Sequence, residues 1–150
     1  MKEPVVSDSA CLIGLERIGQ LDLLPTLFTP IFIPPAVNSE FGISLNWLTI
    51  EAPADQLLVD ALKILVDDGE AEAIALAKEQ GCKVILDDKQ ARAVANRLGL
   101  SIIGTIGILV QTRLNGTIAQ LKPLLDDLDS QGFYISRALR EEALRIVGEK

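Results

Sequence analysis

The sequence predicts a three-layer α/β/α sandwich with a mostly parallel central sheet and extra helices at its C-terminal end. Two observations carry that expectation. Short apolar runs alternate with segments of helical period along the chain, and strands joined by helices need crossovers, which are right-handed and cover both faces of a parallel sheet. The 150 residues are about the length of one ordinary domain, and no internal repeat, low-complexity tract or linker divides them. One domain over 1–150 is therefore expected.

In chain order, residues 4–7 read as a short buried strand that feeds a helix through Asp8 and Ser9, with Gly19 at its end. A second helical piece at 21–27 leads into a strand at 31–33, stopped by Pro34 and Pro35, whose rings cannot continue a ladder. A helix from about Pro35 carries Val37 and Glu40, 42–46 is a loop, and 47–50 alternates like an edge or half-buried strand. Over 54–66, Leu57, Leu58, Ala61, Leu62 and Leu65 recur at helical spacing, with Asp55 at the positive end of the dipole. Asp67, Asp68 and Gly69 read as a turn before an alanine-rich helix that starts at Glu70 and is closed by Gly81. Lys83, Val84, Ile85 and Leu86 form the clearest strand. Asp87 and Asp88 follow it, then a helix with Ala91, Val94, Ala95 and Leu98 on one face and Gly99 at its end. A short strand at 101–103, a helix over 106–114 opened by Gly104 and Thr105, and amphipathic segments at 118–129 and 136–147 complete the chain.

Composition narrows the chemistry. Histidine is absent, which excludes Ser-His-Asp and Cys-His catalysis, histidine-ligated zinc and imidazole acid–base work together. Cys11 and Cys82 lie far apart and outside any CxxC pair, so free thiols are expected rather than a zinc site or disulfide. With only four Phe, one Trp and one Tyr, the core is aliphatic and stacking platforms for single-stranded nucleic acid are not expected. Trp47 reads as packing or a partner contact. A net charge of -7 speaks against broad electrostatic binding of nucleic acid. No apolar stretch reaches the length of a membrane span and no basic segment precedes an apolar one at the N-terminus, so a soluble, cytoplasmic protein is expected. Any chemistry must use carboxylates.

Those carboxylates fall at strand ends. Asp8 follows the first strand, Asp87 and Asp88 follow the Val84 strand, and in open parallel sheets ligands gather at the carboxyl ends of strands. Glu40 and either Glu70 or Glu72 can be placed near the same edge. Several carboxylates at one point repel one another and call for a cation, and hard oxygen ligands select Mg²⁺ or Mn²⁺, which activate water and steady a phosphoryl oxygen. Each residue also has an ordinary reading. Asp8, Asp87, Asp88 and Thr105 are good helix N-caps, Glu40 is an unremarked helix residue, and Lys89, Arg92 and Arg97 make a solvated helix face.

The stretches Val5-Val6-Ser7-Asp8-Ser9, Ile33 through Glu40, Gly69 through Ala77, Ile85 through Arg92, and Gly99-Leu100 to Gly104-Thr105-Ile106-Gly107 together resemble the PIN domains, magnesium-dependent nucleases that include the VapC-like toxins of toxin–antitoxin pairs, and in particular an uncharacterised PIN-like subgroup. The resemblance implies that Asp8, Glu40 and Asp88 bind the metal and serve catalysis. The family's helical aspartate, counted back from Gly81, falls at Ala71, between Glu70 and Glu72, which lie about 200° apart on a helix. Glu72 is preferred for its place in the site, with Glu70 and Asp87 as second choices for the metal. Thr105 and Arg92 are candidates for substrate contact at a phosphate.

The resemblance implies a Mg²⁺- or Mn²⁺-dependent ribonuclease, the toxin of a toxin–antitoxin pair, with RNA as substrate, a small antitoxin protein as partner and a homodimer as assembly. Its competitor is a catalytically silent module of the same fold that binds a partner protein. A phosphohydrolase on another doubly wound fold is disfavoured, because the first strand lacks the second aspartate of a DxD nucleophile motif and no lysine follows Ile103.

Overall fold

The computed structural model describes residues 2–150. Its strands are β1 (Glu3–Ser7), β2 (Phe28–Ile33), β3 (Leu48–Ile50), β4 (Lys83–Ile85) and β5 (Ile102–Ile103). They form one sheet in the order β3-β2-β1-β4-β5, with every neighbouring pair parallel. Val6 at the centre is flanked by Phe32 on one side and Val84 on the other. The chain leaves β1 toward β2 and later returns to β1's other side with β4. The gap between β1 and β4 is thus the point where strand order reverses, the place where open α/β sheets form their ligand crevice.

Both faces of the sheet are covered. Val5 and Ile85 enter one hydrophobic core, while Val6, Val84 and Leu86 enter the other, as the two-residue period of a strand requires. The first core lies beneath α1 (Ser9–Arg17), α2 (Leu23–Leu27), α7 (Thr105–Leu114), α8 (Lys122–Ser130) and α9 (Arg137–Val147). The second lies beneath α4 (Gln56–Leu62), α5 (Asp68–Gln80) and α6 (Lys89–Arg97). The sequence-predicted three-layer sandwich is the observed one, and of the added C-terminal helices α8 packs on α1 and α9 on α7.

Helix α5 buries Gly69, Ala71, Ala73, Ile74, Ala75, Leu76 and Ala77, and this run of small residues lets it approach both the sheet and α3 (Pro35–Phe41) closely. Several element boundaries differ from expectation, and β2 begins at Phe28 rather than at Ile31. Helix α5 begins at Asp68 because Asp67 and Glu70 form a reciprocal capping box, so Asp67–Gly69 is a helix start and not a separate turn. Helix α4 stops at Leu62, after which the backbone tightens into bonds from Ile64 N to Ala61 O and from Leu65 N to Leu62 O. Helix α8 starts at Lys122 rather than near 118, with Pro123 in its first turn, where its missing N–H is harmless. Trp47 is half-buried against the first core, just before the edge strand β3. Among the described residues no helix is long and apolar enough to cross a membrane.

Candidate metal centre

Asp8 sits at the crevice between β1 and β4. Its N–H donates to Ile85 O at 3.1 Å, carrying the sheet's pairing one residue past β1. Its side chain caps α1, with Oδ1 accepting from Cys11 N at 3.0 Å, while Oδ2 accepts from Asp87 N at 3.1 Å. The cap and the ligand are compatible roles, because each carboxylate oxygen retains a second lone pair. Burial first, and the Asp87 carboxylate second, push Asp8 up to about 8. A charge that the protein itself leaves uncompensated at this depth is one a cation would stabilise. Beside it, the Cys11 thiol is fully buried and pushed up by that burial, then by Asp8, so it stays neutral packing.

The two aspartates after β4 divide their work. Asp88 caps its own helix, α6, through Oδ2 and Ala91 N at 2.9 Å. Asp87 turns instead to α7, where Oδ1 accepts from Thr105 N at 2.8 Å and Oδ2 from Thr105 Oγ1 at 2.5 Å. The N-cap position of α7 is Gly104, which has no side chain to offer, so Asp87 supplies that cap from the turn that follows β4. Thr105 is therefore the first residue of α7 and not its cap, and its hydroxyl is committed to Asp87. Burial raises Asp87, against the two Thr105 bonds and the Arg92 charge. Arg92 reaches back across this turn, Nη1 donating to Leu86 O at 2.9 Å. Gly104 makes the arrangement possible: a Cβ there would lie 2.8 Å from Arg92 Nη1 and 3.0 Å from Asp87 Oδ1.

The glutamates come from the other side of the crevice. Glu40, on α3, lays its carboxylate against the first turn of α5, where a Cβ on Gly69 would sit 2.6 Å from Oε1. Glu70 is held in the capping box, its Oε1 accepting from Asp67 N at 3.2 Å and its own N–H donating to Asp67 Oδ1 at 2.8 Å. Burial first, with Asp67 and Asp88 adding repulsion, pushes Glu70 up to about 7, and Glu70 in turn is among the charges that raise Asp8. Glu72 faces α3 instead, Oε1 accepting from Ala36 N at 3.1 Å at that helix's N-terminus. The two glutamates, of which the sequence preferred Glu72, thus face different neighbours. Glu70 is the glutamate that adds to the raising of Asp8 and is itself raised in part by Asp88, while Glu72 does the work of a helix cap.

Asp8, Glu40, Glu70 and Asp88 thus arrive from the ends of β1 and β4 and from the facing parts of α3 and α5. Their all-oxygen, anionic donor set fits a hard divalent cation such as Mg²⁺ or Mn²⁺, and Asp8 and Glu70 are raised by burial first and by neighbouring acids after it, a cost of ionisation that such an ion would offset. Among the described residues no group of three or more such side chains is placed to hold an ion as it stands. Sequence reasoning missed two features. The Asp67-x-x-Glu70 pattern is a capping-box signature that also orients Glu70, and the missing side chain at Gly104 is the signal that another residue must cap α7.

The family model described as PIN domain matches residues 4–149. No curated protein matches the chain.

Proposed function

The chain belongs to the PIN-domain family, whose fold is of the nuclease type, and from that premise we propose that it is a Mg²⁺- or Mn²⁺-dependent ribonuclease whose site is Asp8, Glu40, Glu70 and Asp88. The observation that carries the reading is the buried Asp8 at the strand-order reversal, raised by burial and by the acids around it. A cation held by these residues would supply Lewis acidity and activate water for attack on a phosphodiester. Asp8 anchors the position, held rigid by Cys11 N and Asp87 N. Asp88 and Glu70 complete the charge from opposite walls, and Glu40 closes the edge over Gly69. Asp87 and Thr105 act at one remove, fixing the α7 N-terminus beside the site. RNA is the proposed substrate, the cytoplasm the proposed setting, and the toxin of a toxin–antitoxin pair the proposed role. A small antitoxin protein and a second copy of the chain are the proposed partners.

One observation favours a second reading. Because no three acids are already gathered among the described residues, a silent module that binds a partner protein would show the same geometry. Cleavage separates the two. Purified protein with Mn²⁺ or Mg²⁺ should cut single-stranded RNA, and Asp8→Asn should abolish the cutting; wild type and variant equally inert on a broad RNA panel would leave the silent module.

A further inference from the structure

Next to the carboxylates, on the open side of β5, lies a groove of about 500 Å³ that the site does not use. Its floor is the edge strand, Ile102 and Ile103. One wall is Arg92 on α6, the other is Gly104 and Gly107 at the start of α7, and Leu139 of α9, 46% exposed, closes the far side. Asp87 joins the groove to the carboxylate site at one end. From this arrangement we infer that the groove is a nucleotide subsite, which takes the base of the residue adjoining the scissile phosphodiester and pairs that residue's phosphate with Arg92.

Three observations identify the occupant. The groove is apolar along its floor and carries one cation at the end nearest the acids, the polarity of a single nucleotide laid base-outward from the site. Arg92 is anchored by Leu86 O through Nη1, so the rest of an exposed guanidinium is presented in a fixed orientation, the geometry that suits bidentate capture of a phosphate. The two glycines let the walls pack closely: a Cβ on Gly104 would press on Arg92 and disturb its orientation, and one on Gly107 would meet Ile103 Cγ1 at 3.0 Å and displace the floor. The Asp87 carboxylate at the groove's end is turned onto Thr105 and does not compete for Arg92's outward donors. Ligand pockets with an apolar lining and a few fixed polar groups have this character. The inference takes its choice of RNA over other phosphate esters from the ribonuclease reading, but binding in the groove does not require cleavage.

The test is titration of ¹⁵N-labelled protein with nucleoside 5′-monophosphates in EDTA, alongside inorganic phosphate and the free nucleosides. Saturable amide shifts at Ile103, Gly104, Gly107 and Leu139 are expected for at least one nucleotide. Binding should weaken at least fivefold with Arg92→Gln and with Leu139→Glu, both exposed positions whose fold is checked by the unperturbed remainder of the spectrum. A nucleotide that shifts these amides while RNA remains uncut keeps nucleotide binding in the groove, removes the ribonuclease reading and overturns the groove's place beside a scissile phosphodiester. RNA cleavage with no nucleotide response in the groove, a response to inorganic phosphate alone, or shifts confined to other surfaces overturns the subsite.

Discussion

The burial of Asp8 makes a prediction about stability that runs opposite to most active-site substitutions. In the fold this carboxyl titrates at about 8 against an ordinary 3.8. A folded-state value above the unfolded one means the native state holds the proton more tightly, so in metal-free buffer its contribution to stability is full below pH 4 and is lost as pH rises toward 8. Each pH unit in that window costs up to ~1.4 kcal/mol, or about 4 kcal/mol from pH 5 to pH 8; sharing of the proton with Asp87 reduces this to about 2–3 kcal/mol. Asp8→Asn abolishes the titration but leaves either Cys11 N or Asp87 N facing an amide, at about 1–2 kcal/mol. The variant should therefore be less stable than wild type at pH 5 and equal or more stable at pH 8. For a domain of this size the swing is about 4–12 °C in Tm, read by thermal or urea unfolding with EDTA at both pH values. A stability difference that stays constant across that range refutes the claim that Asp8 is buried without a compensating charge, and with it the need for a cation.

Other outcomes follow from the same geometry. Glu70→Gln should weaken Mn²⁺ binding at least tenfold in calorimetry, whereas Glu72→Ala should leave it unchanged and instead cost about 0.5–2 kcal/mol through loss of the α3 cap at Ala36. Because Asp8 and Glu70 titrate at about 8 and about 7, both are substantially protonated at pH 6 and a cation must expel those protons. Mn²⁺ affinity should rise from pH 6 to pH 8, with proton release seen as a buffer-dependent binding enthalpy. Gly69→Ala should fold, since the flexible Glu40 carboxylate gives way to the new methyl, yet lower Mn²⁺ affinity by displacing that ligand; unchanged affinity would remove Glu40 from the site. Asp87→Ala should destabilise the protein by about 1–3 kcal/mol, because it strips the cap from Thr105 and leaves its buried hydroxyl unpaired.

The elements legible in the sequence were those whose local chemistry and tertiary burial agree. Val84, Ile85 and Leu86 are apolar in succession because their alternate side chains feed two different cores. Gly81 closes α5 in the left-handed conformation that glycine adopts without strain. Asp8 and Asp88 could be placed just past β1 and β4 from their positions after strands, and Glu40 in the helix beyond Ile33. What escaped was decided across elements. Nothing within a few residues of Asp87 tells that it caps α7, 18 residues on, and the choice between Glu70 and Glu72 depended on α3 presenting Ala36 N to one and on Asp88 facing the other. The start of α5 at Asp68 was readable from Asp67-x-x-Glu70.

A crystal soaked in Mn²⁺ and measured at the manganese absorption edge tests the site itself. The structure predicts an anomalous peak between Asp8 and Asp88 with oxygens about 2.0–2.6 Å away, Glu70 rotated out of its capping box toward the ion, and Glu72 still on Ala36 N. A peak absent from the crevice between β1 and β4, or ligated by Glu72 with Glu70 unmoved, would contradict it.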